Sequence, residues 1–532
     1  VKRDARDLVF VNGSFLDAAR AGRSRRPKSE ALWVRDGRIE ALGPAAAIRA
    51  RAGRRARRID LGGGTLVPGF TDAHIHLVTW IRALREPWMD SQDLAGIERA
   101  VAARRETAPG NDWLLVRGWV PRDWPLERRR PEVLERIAPD RPLLLQAVDG
   151  HSVWGNRIAL ERTGIDERTA EPSGGRIERD AAGRLTGALI EDAANLLRSR
   201  VPRPSTPDAE LRDAIAKAHA LGITSAHDFD RNATWRAAAS LAASGRLPLR
   251  LLISVPVAAL DAAEDLGLAA GLGGDRLGVA AVKMFADGTL GSATALLESP
   301  YEGTRSTGIE VTPRARLAEA CGRAARAGLS VAIHAIGDGA VRNALDAIES
   351  TLQAGARFPV PPRVEHIQLS RREDWPRFRA LGVLASVQPA HMLSDREVAK
   401  RFWGSRTERS YAWRSLLAHG ARLVFGSDAP FDRAGPLVAI QSAVLRRAPG
   451  EPADGTFHGE QRIRLAAALR AHLEDPHRAA AWPVPLGRLA PHFGADLALF
   501  DHDLLALPVE EWHRAKVRGV WIGGERVFGA PR

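Results

Sequence analysis

Cysteine is almost absent from this 532-residue chain. Cys321 stands alone, which excludes an intrachain disulfide and any zinc knuckle built on thiolates. Residues 317–327 around it read as helical, so a buried, small apolar role is expected for it. Lysine is nearly as scarce: of 77 basic residues, 71 are arginines and six are lysines, at positions 2, 28, 217, 283, 400 and 516. No stretch approaches the roughly 20 apolar residues a membrane span needs, because Arg250 interrupts the best candidate. No membrane partner is expected. The chain opens Val-Lys-Arg-Asp without the apolar core of a signal peptide, and the expected compartment is the cytoplasm.

What is present is a globular composition, with 45% hydrophobic and 27% charged residues, which excludes disorder or a collagen-like repeat for the whole chain. The net charge of +13 and a pI near 10.8 raise nucleic acid as a partner. The arginine runs at 23–26, 54–58 and 128–130 are instead scattered among Ala, Gly and Glu. Acidic residues accompany most of them, as on solvated, ion-paired faces, so nucleic acid is not an expected partner. Homo-oligomerisation is left open.

Both ends of the chain read as short strands. Segments 7–12, 31–34 and 38–42 are punctuated by Asn12-Gly13 and Asp36-Gly37, two hairpin-turn dipeptides. Near the other end, 495–500, 517–522 and 526–528 follow the same pattern, the last two around Gly523-Gly524. One small β-sandwich built from both termini is expected, over 1–66 and 484–532. The middle, 67–483, alternates helical stretches with eight apolar runs: 65–77, 224–230, 249–256, 278–288, 329–337, 363–369, 382–391 and 422–430. Parallel strands buried on both faces read this way, and eight of them predict an α/β fold, a (β/α)₈ barrel with its active site at the carboxyl ends of the strands. A large insertion is expected between the first and second runs, at about 78–223.

The ends of those runs carry the chemistry. The first ends Asp72-Ala73-His74-Ile75-His76, and alternation along a strand puts His74 and His76 on one side. The fourth holds Lys283, the fifth His334, the sixth His366, and the eighth closes on Asp428. Each alone is compatible with a buried, hydrogen-bonded core residue. Together they converge on one barrel mouth, and imidazole with carboxylate suits Zn²⁺ or a related divalent ion. Lys283 lies among Val282, Met284 and Phe285, where an ammonium is costly to bury. Either it pairs with a carboxylate such as Asp287, or it is a neutral amine that adds CO₂ to become a metal-bridging carbamate. His227 and Asp228 read as supporting rather than reacting residues.

Val-Pro-Gly-Phe-Thr-Asp-Ala-His-Ile-His-Leu (67–77), with Lys283, His334, His366 and Asp428, resembles the amidohydrolase superfamily. Asp-Gly-His-Ser-Val-Trp-Gly-Asn (149–156), Gly-Ala-Leu-Ile-Glu (187–191), Val-Lys-Met-Phe-Ala-Asp-Gly (282–288), His-Ala-Ile-Gly-Asp-Gly-Ala (334–340) and Val-Gln-Pro-Ala-His (387–391) are similar to its family 3 branch, which contains N-substituted formamide deformylases. The resemblance implies that His74, His76 and Asp428 hold one metal and His334 and His366 a second. Two Zn²⁺ would be bridged by carboxylated Lys283, with a single ion if the lysine is unmodified. It further implies hydrolysis of an amide or N-substituted formamide. Asp428 would shuttle the proton to the leaving nitrogen, and His151 and His391 are candidates to orient the carbonyl or the oxyanion. The chain departs from the branch at 470–478 and at 493–496, around the terminal strands.

Six tryptophans (80, 88, 113, 119, 124 and 154) fall in the insertion, and Trp403, Tyr411 and Trp413 follow the seventh run. They would either cap the barrel mouth, favouring a small-molecule amide with a bulky or aromatic group, or pack the insertion onto the barrel. A hydantoinase- or lactamase-like hydrolase of cyclic amides uses the same residues. Heterocycle deaminases of the superfamily usually place a Glu three residues after the fifth-strand His, where this chain has Gly337. A regulatory or binding protein without catalysis is a further alternative.

Overall fold

The computed structural model describes residues 7–21, 29–108, 110, 113–202, 207–230 and 232–529; Lys2, Lys28 and the arginine run at 23–26 lie outside the described residues. The eight apolar runs supply the strands of one parallel sheet: β1 (Phe70–Ile75), β2 (Ile223–Asp228), β3 (Arg250–Pro256), β4 (Leu277–Phe285), β5 (Ser330–Ala335), β6 (Arg363–His366), β7 (Leu384–Val387) and β8 (Arg422–Phe425). Each pairs in parallel with the next in chain order. Helices such as Arg314–Arg326 cover the outer face, and Cys321 is buried there beside Leu317 and Ala324.

The sheet curls until β8 meets β1. Just beyond the strands the Asp428 N–H donates to the His74 carbonyl (2.6 Å) and the His76 N–H to the Ala429 carbonyl (3.0 Å). The Ser427 N–H adds a bond to the Asp72 carboxylate (2.9 Å). Gly426 permits this approach, since a Cβ at that position would lie 2.4 Å from the His74 nitrogen. The expected (β/α)₈ barrel is the fold observed.

The first run is divided. Thr65–Pro68 joins a sheet of terminal strands, and only Phe70–Ile75 enters the barrel. Gly69 stands at the break, pressed against Thr224. In the terminal region one sheet orders Arg38–Pro44, Glu30–Arg35, Leu8–Val11 and Arg57–Asp60. The other orders Ser14–Phe15, Thr65–Pro68, Leu497–Phe500, Val517–Ile522 and Glu525–Phe528. Phe10, Leu32, Leu66, Leu497 and Trp521 share the core between them, so both termini build one sandwich. Asp36-Gly37 forms the expected hairpin turn, with φ of 48° and 76° as a type I′ turn requires. Asn12-Gly13 does not. Leu8–Val11 pairs with Glu30–Arg35 and Arg57–Asp60, and Ser14–Phe15 with Thr65–Pro68, so that dipeptide carries the chain from one sheet to the other.

Between β1 and β2 the chain forms its own five-stranded sheet, ordered Gly175–Arg179, Leu185–Glu191, Ser152–Gly155, Leu143–Ala147 and Leu114–Trp119. This sheet places the turn bearing His151 over the barrel mouth. Among the described residues no helix is long and apolar enough to cross a membrane.

Candidate metal centre and active-site cavity

The carboxyl ends of the strands bring the sequence-derived residues together. His74 is buried on β1. Its Nδ1–H donates to Glu365 Oε2 on β6 (2.7 Å), which turns Nε2 toward Asp428 Oδ1 at 3.5 Å. His76 lies past the strand end, with Nε2 3.3 Å from Asp428 Oδ1 and Nδ1 3.5 Å from Asp230 Oδ1. His366 donates from Nδ1 to the Gln388 side-chain carbonyl (2.9 Å). One ligand atom from each of His74, His366 and Asp428 falls within 4.8 Å of the others, a spacing that could hold an ion. The grouping cuts across the expected pairs: His366 stands with His74 and Asp428, and the His334 ring lies 4.4 Å from that of His366. His366 and Asp428 both hold left-handed backbone, with φ of 75° and 57°, which non-glycine residues keep only where surrounding structure enforces it.

Burial and charge set the protonation of this cluster. Burial drives His74 down to about 4, and burial with neighbouring positive groups drives His334 and His366 well below the usual imidazole value. All three therefore present neutral rings. Burial also opposes charge on His76, but the Asp230 and Asp428 carboxylates outweigh it and push its pKa up to about 10. Against the same burial, His74, His76 and His391 hold the Asp428 carboxyl well below the ordinary range.

Lys283 reaches the cluster from β4. It is buried, and its Nζ has no hydrogen-bond partner among the described residues. The amine sits 4.8 Å from the ring centroids of both Phe229 and Phe285, and desolvation lowers its pKa to about 8. Asp287 does not pair with it. That carboxylate accepts the N–H groups of Leu296, Ile336 and Gly337 and lies 3.6 Å from His334 Nε2, while burial pushes its pKa up to about 8. His151 reaches in from the insertion: its Nδ1 bonds Glu191 Oε2 (2.6 Å), and its ring lies 5.4 Å from that of His334. His391 opens the helix His391–Trp403, with Nε2 3.7 Å from Asp428 Oδ2. Lys283, His151 and His391 line one cavity of about 1730 Å³ together with His74, His76, His334, His366 and Asp428.

The chain matches the amidohydrolase family over residues 57–528. It belongs to that family. YtcJ of Bacillus subtilis (strain 168), which bears an amidohydrolase name, is 31% identical over 516 residues, 94% of this chain and 96% of its own. The N-substituted formamide deformylase of Arthrobacter pascens is 27% identical over 551 residues, 98% of each chain. In structure, an uncharacterized metal-dependent hydrolase from Pyrococcus horikoshii OT3 superposes with a TM-score of 0.75 at 25% identity, covering 94% of this chain and 99% of that one.

Sequence reading of this amidohydrolase missed the residues that hold the cluster. Glu365 bonds His74 across 291 residues of sequence, Asp230 Oδ1 lies 3.5 Å from His76 Nδ1, and Gln388 fixes His366. The local signals were that Glu365 and Asp230 lie within two residues of a singled-out His or Asp, and that Gln388 falls inside the 387–391 stretch. His227 Nδ1 accepts from Arg363 (2.8 Å), which also pairs with Glu365. Asp228 accepts the Leu77 N–H (2.8 Å). Trp80, Trp88 and Trp119 line the cavity, Trp80 and Trp119 also packing into cores, and Trp113, Trp124, Trp154, Trp403 and Trp413 are buried in packing cores alone.

Proposed function

We propose that this amidohydrolase uses a divalent metal to cleave the C–N bond of an amide, with N-substituted formamides as its substrate class. His74, His76, Lys283, His334, His366 and Asp428 would hold the metal. The observation that carries the reading is Lys283, a buried amine without a hydrogen-bond partner among the described residues, inside the histidine-lined cavity. Charged, it would be costly there. Neutral, it can add CO₂ with loss of a proton, and the resulting carbamate would give an anionic ligand for a pair of Zn²⁺; an unmodified lysine would leave a site for one ion. The neutral imidazoles and the ionised Asp428 match the donors zinc prefers, and Glu365 and Gln388 fix two of the rings as partners of metal-bound histidines do. When bound, such ions supply hydroxide at neutral pH and polarise a carbonyl.

The chain's own groups then divide the remaining work. Asp428 accepts a proton and returns it to the leaving nitrogen. His151 and His391, which both line the cavity, orient the carbonyl oxygen and the oxyanion that develops from it. The cavity suits a small-molecule amide, and Trp80, Trp88 and Trp119 favour a bulky or aromatic substituent. We assign the sandwich to 1–66 and 484–532, with the strand Thr65–Pro68 running two residues past the first of these bounds, the barrel to 67–483 and the insertion to about 78–223. Ring deamination is disfavoured, since a Cβ on Gly337 would lie 2.0 Å from the Leu296 carbonyl oxygen, leaving no room there for a Glu. Elemental analysis after metal-replete expression should give two equivalents of zinc. Formate and amine should be released from a panel of N-substituted formamides, with the activity lost to a chelator. Protein without bound metal, or a full amide panel without metal-dependent turnover, would overturn the reading.

A further inference from the structure

A chain of hydrogen-bonded residues outside the metal cluster ends on His391 through Gln368. The Gln368 side-chain NH₂ lies 3.3 Å from His391 Nδ1 and donates to Asp395 Oδ2 at 3.1 Å. Asp395 Oδ2 also accepts the Tyr411 hydroxyl at 3.0 Å. A carboxylate only accepts, so Asp395 fixes which end of the Gln368 amide faces it. The same NH₂ therefore faces His391, and Nδ1 must be the unprotonated nitrogen. The proton is left on Nε2, which points to Asp428 Oδ2 at 3.7 Å and, though buried, has no hydrogen-bond partner among the described residues.

The rest of the assembly holds this chain of bonds in place. Tyr411 keeps a left-handed backbone, φ 47°, and its N–H donates to the Gln368 carbonyl at 2.8 Å. Its own carbonyl accepts from Arg446 Nη1 at 2.8 Å. Arg446 is wholly buried, stacked 4.6 Å over Trp413, and bonded through Nε to the Phe457 carbonyl (2.8 Å). A buried arginine and a strained tyrosine are costly features, and here both support one amide that faces one imidazole. His391 in turn stacks parallel to His366, with ring centroids 6.2 Å apart.

We propose that Gln368, Asp395 and Tyr411 are positioning residues that lock His391 as the Nε2–H tautomer, so that it presents an N–H donor to the substrate carbonyl oxygen. The donor's use on an amide rests on the function proposed above, but the tautomer is a property of the protein alone. The test is ¹⁵N NMR of histidine-labelled, zinc-loaded full-length protein, with His391→Asn identifying the resonances. Wild type should show a protonated, pyrrole-type Nε2 and a bare Nδ1 at His391. Gln368→Glu offers only acceptors, so it should move a proton to Nδ1 and lower kcat about 100-fold, the scale of one oxyanion donor, with KM for the same amide changed far less. If Gln368→Glu does not fold, Gln368→Met should show the two tautomers mixed. A wild-type pyrrole-type Nδ1, or an unchanged His391 signature in the variant, overturns the proposal. An enzyme that turns over no amide but shows the expected signature would sink the functional reading and leave the tautomer assignment standing.

Discussion

At the scale of single residues, His76 makes the sharpest statement about metal loading. Burial alone would keep its ring neutral, yet Asp230 and Asp428 push its pKa up to about 10, so the metal-free ring carries a proton at neutral pH. A histidine must be unprotonated to coordinate. On the proposed ligand set, loading at pH 7–8 therefore expels that proton, and metal affinity should rise with pH until about 10 on this account. Asp230→Asn removes one of the two carboxylates, lowers the His76 pKa, and should reduce both the proton release and the slope of affinity against pH. Zinc titration calorimetry in buffers of differing ionisation heat reads the proton count directly. A wild-type count of zero, or an equal count in Asp230→Asn, would remove His76 from the ligand set.

At the scale of elements, the decisive contact is the seam between β8 and β1. Gly426 gives it no side chain, and an added methyl would meet backbone rather than a flexible side chain. Gly426→Ala should cost about 1–3 kcal/mol, as overpacked sites do, and weaken metal binding by separating His74 from Asp428. Gly322→Ala on the outer helix Arg314–Arg326, where the nearest atom is the tip of Arg326 at 3.3 Å, should instead be neutral or stabilising by up to about 1 kcal/mol. Urea unfolding with zinc content compares the two, and equal midpoints would refute the role given to the seam. The barrel strands were legible because burial on both faces leaves a largely apolar run with its reactive polar residues near its end. The break at Gly69 was not, since Thr65–Pro68 is equally apolar and changes sheets without a change in composition. The turn at Asn12-Gly13 misled for a related reason: its local chemistry is that of a hairpin, but the partner of each flanking strand is chosen by distant residues.

At the scale of the whole molecule, the basic charge is spread across many ion pairs, among them Arg99–Asp90, Arg105–Asp140 and Arg157–Glu135, as its scatter in sequence suggested. The segments where the chain departs from its family also prove structural. His472 Nδ1 donates to the Thr71 carbonyl (2.9 Å) and His477 Nε2 lies 3.2 Å from Thr71 Oγ1, so both brace β1 three positions before His74. Asp496 of the other departing segment forms a two-bond pair with Arg250 on β3, at 2.6 and 3.0 Å, across 246 residues of sequence. No local pattern marks such a pair, and this is why the joint between sandwich and barrel could not be read in advance. Both side chains are buried, at 3% and 5% exposure, so removing the cation leaves a carboxylate that water cannot reach. Arg250→Met should therefore cost about 3–5 kcal/mol. Because the pair ties the residue leading into the sandwich strand Leu497–Phe500 to a barrel strand, the loss should also let the sandwich unfold ahead of the barrel, giving two transitions in urea in place of one. Asp496→Asn keeps an acceptor for the Gly523 N–H, which bonds this side chain at 2.8 Å, and should fall between wild type and Arg250→Met. A single transition at the wild-type midpoint in Arg250→Met would show that the two parts are held together elsewhere.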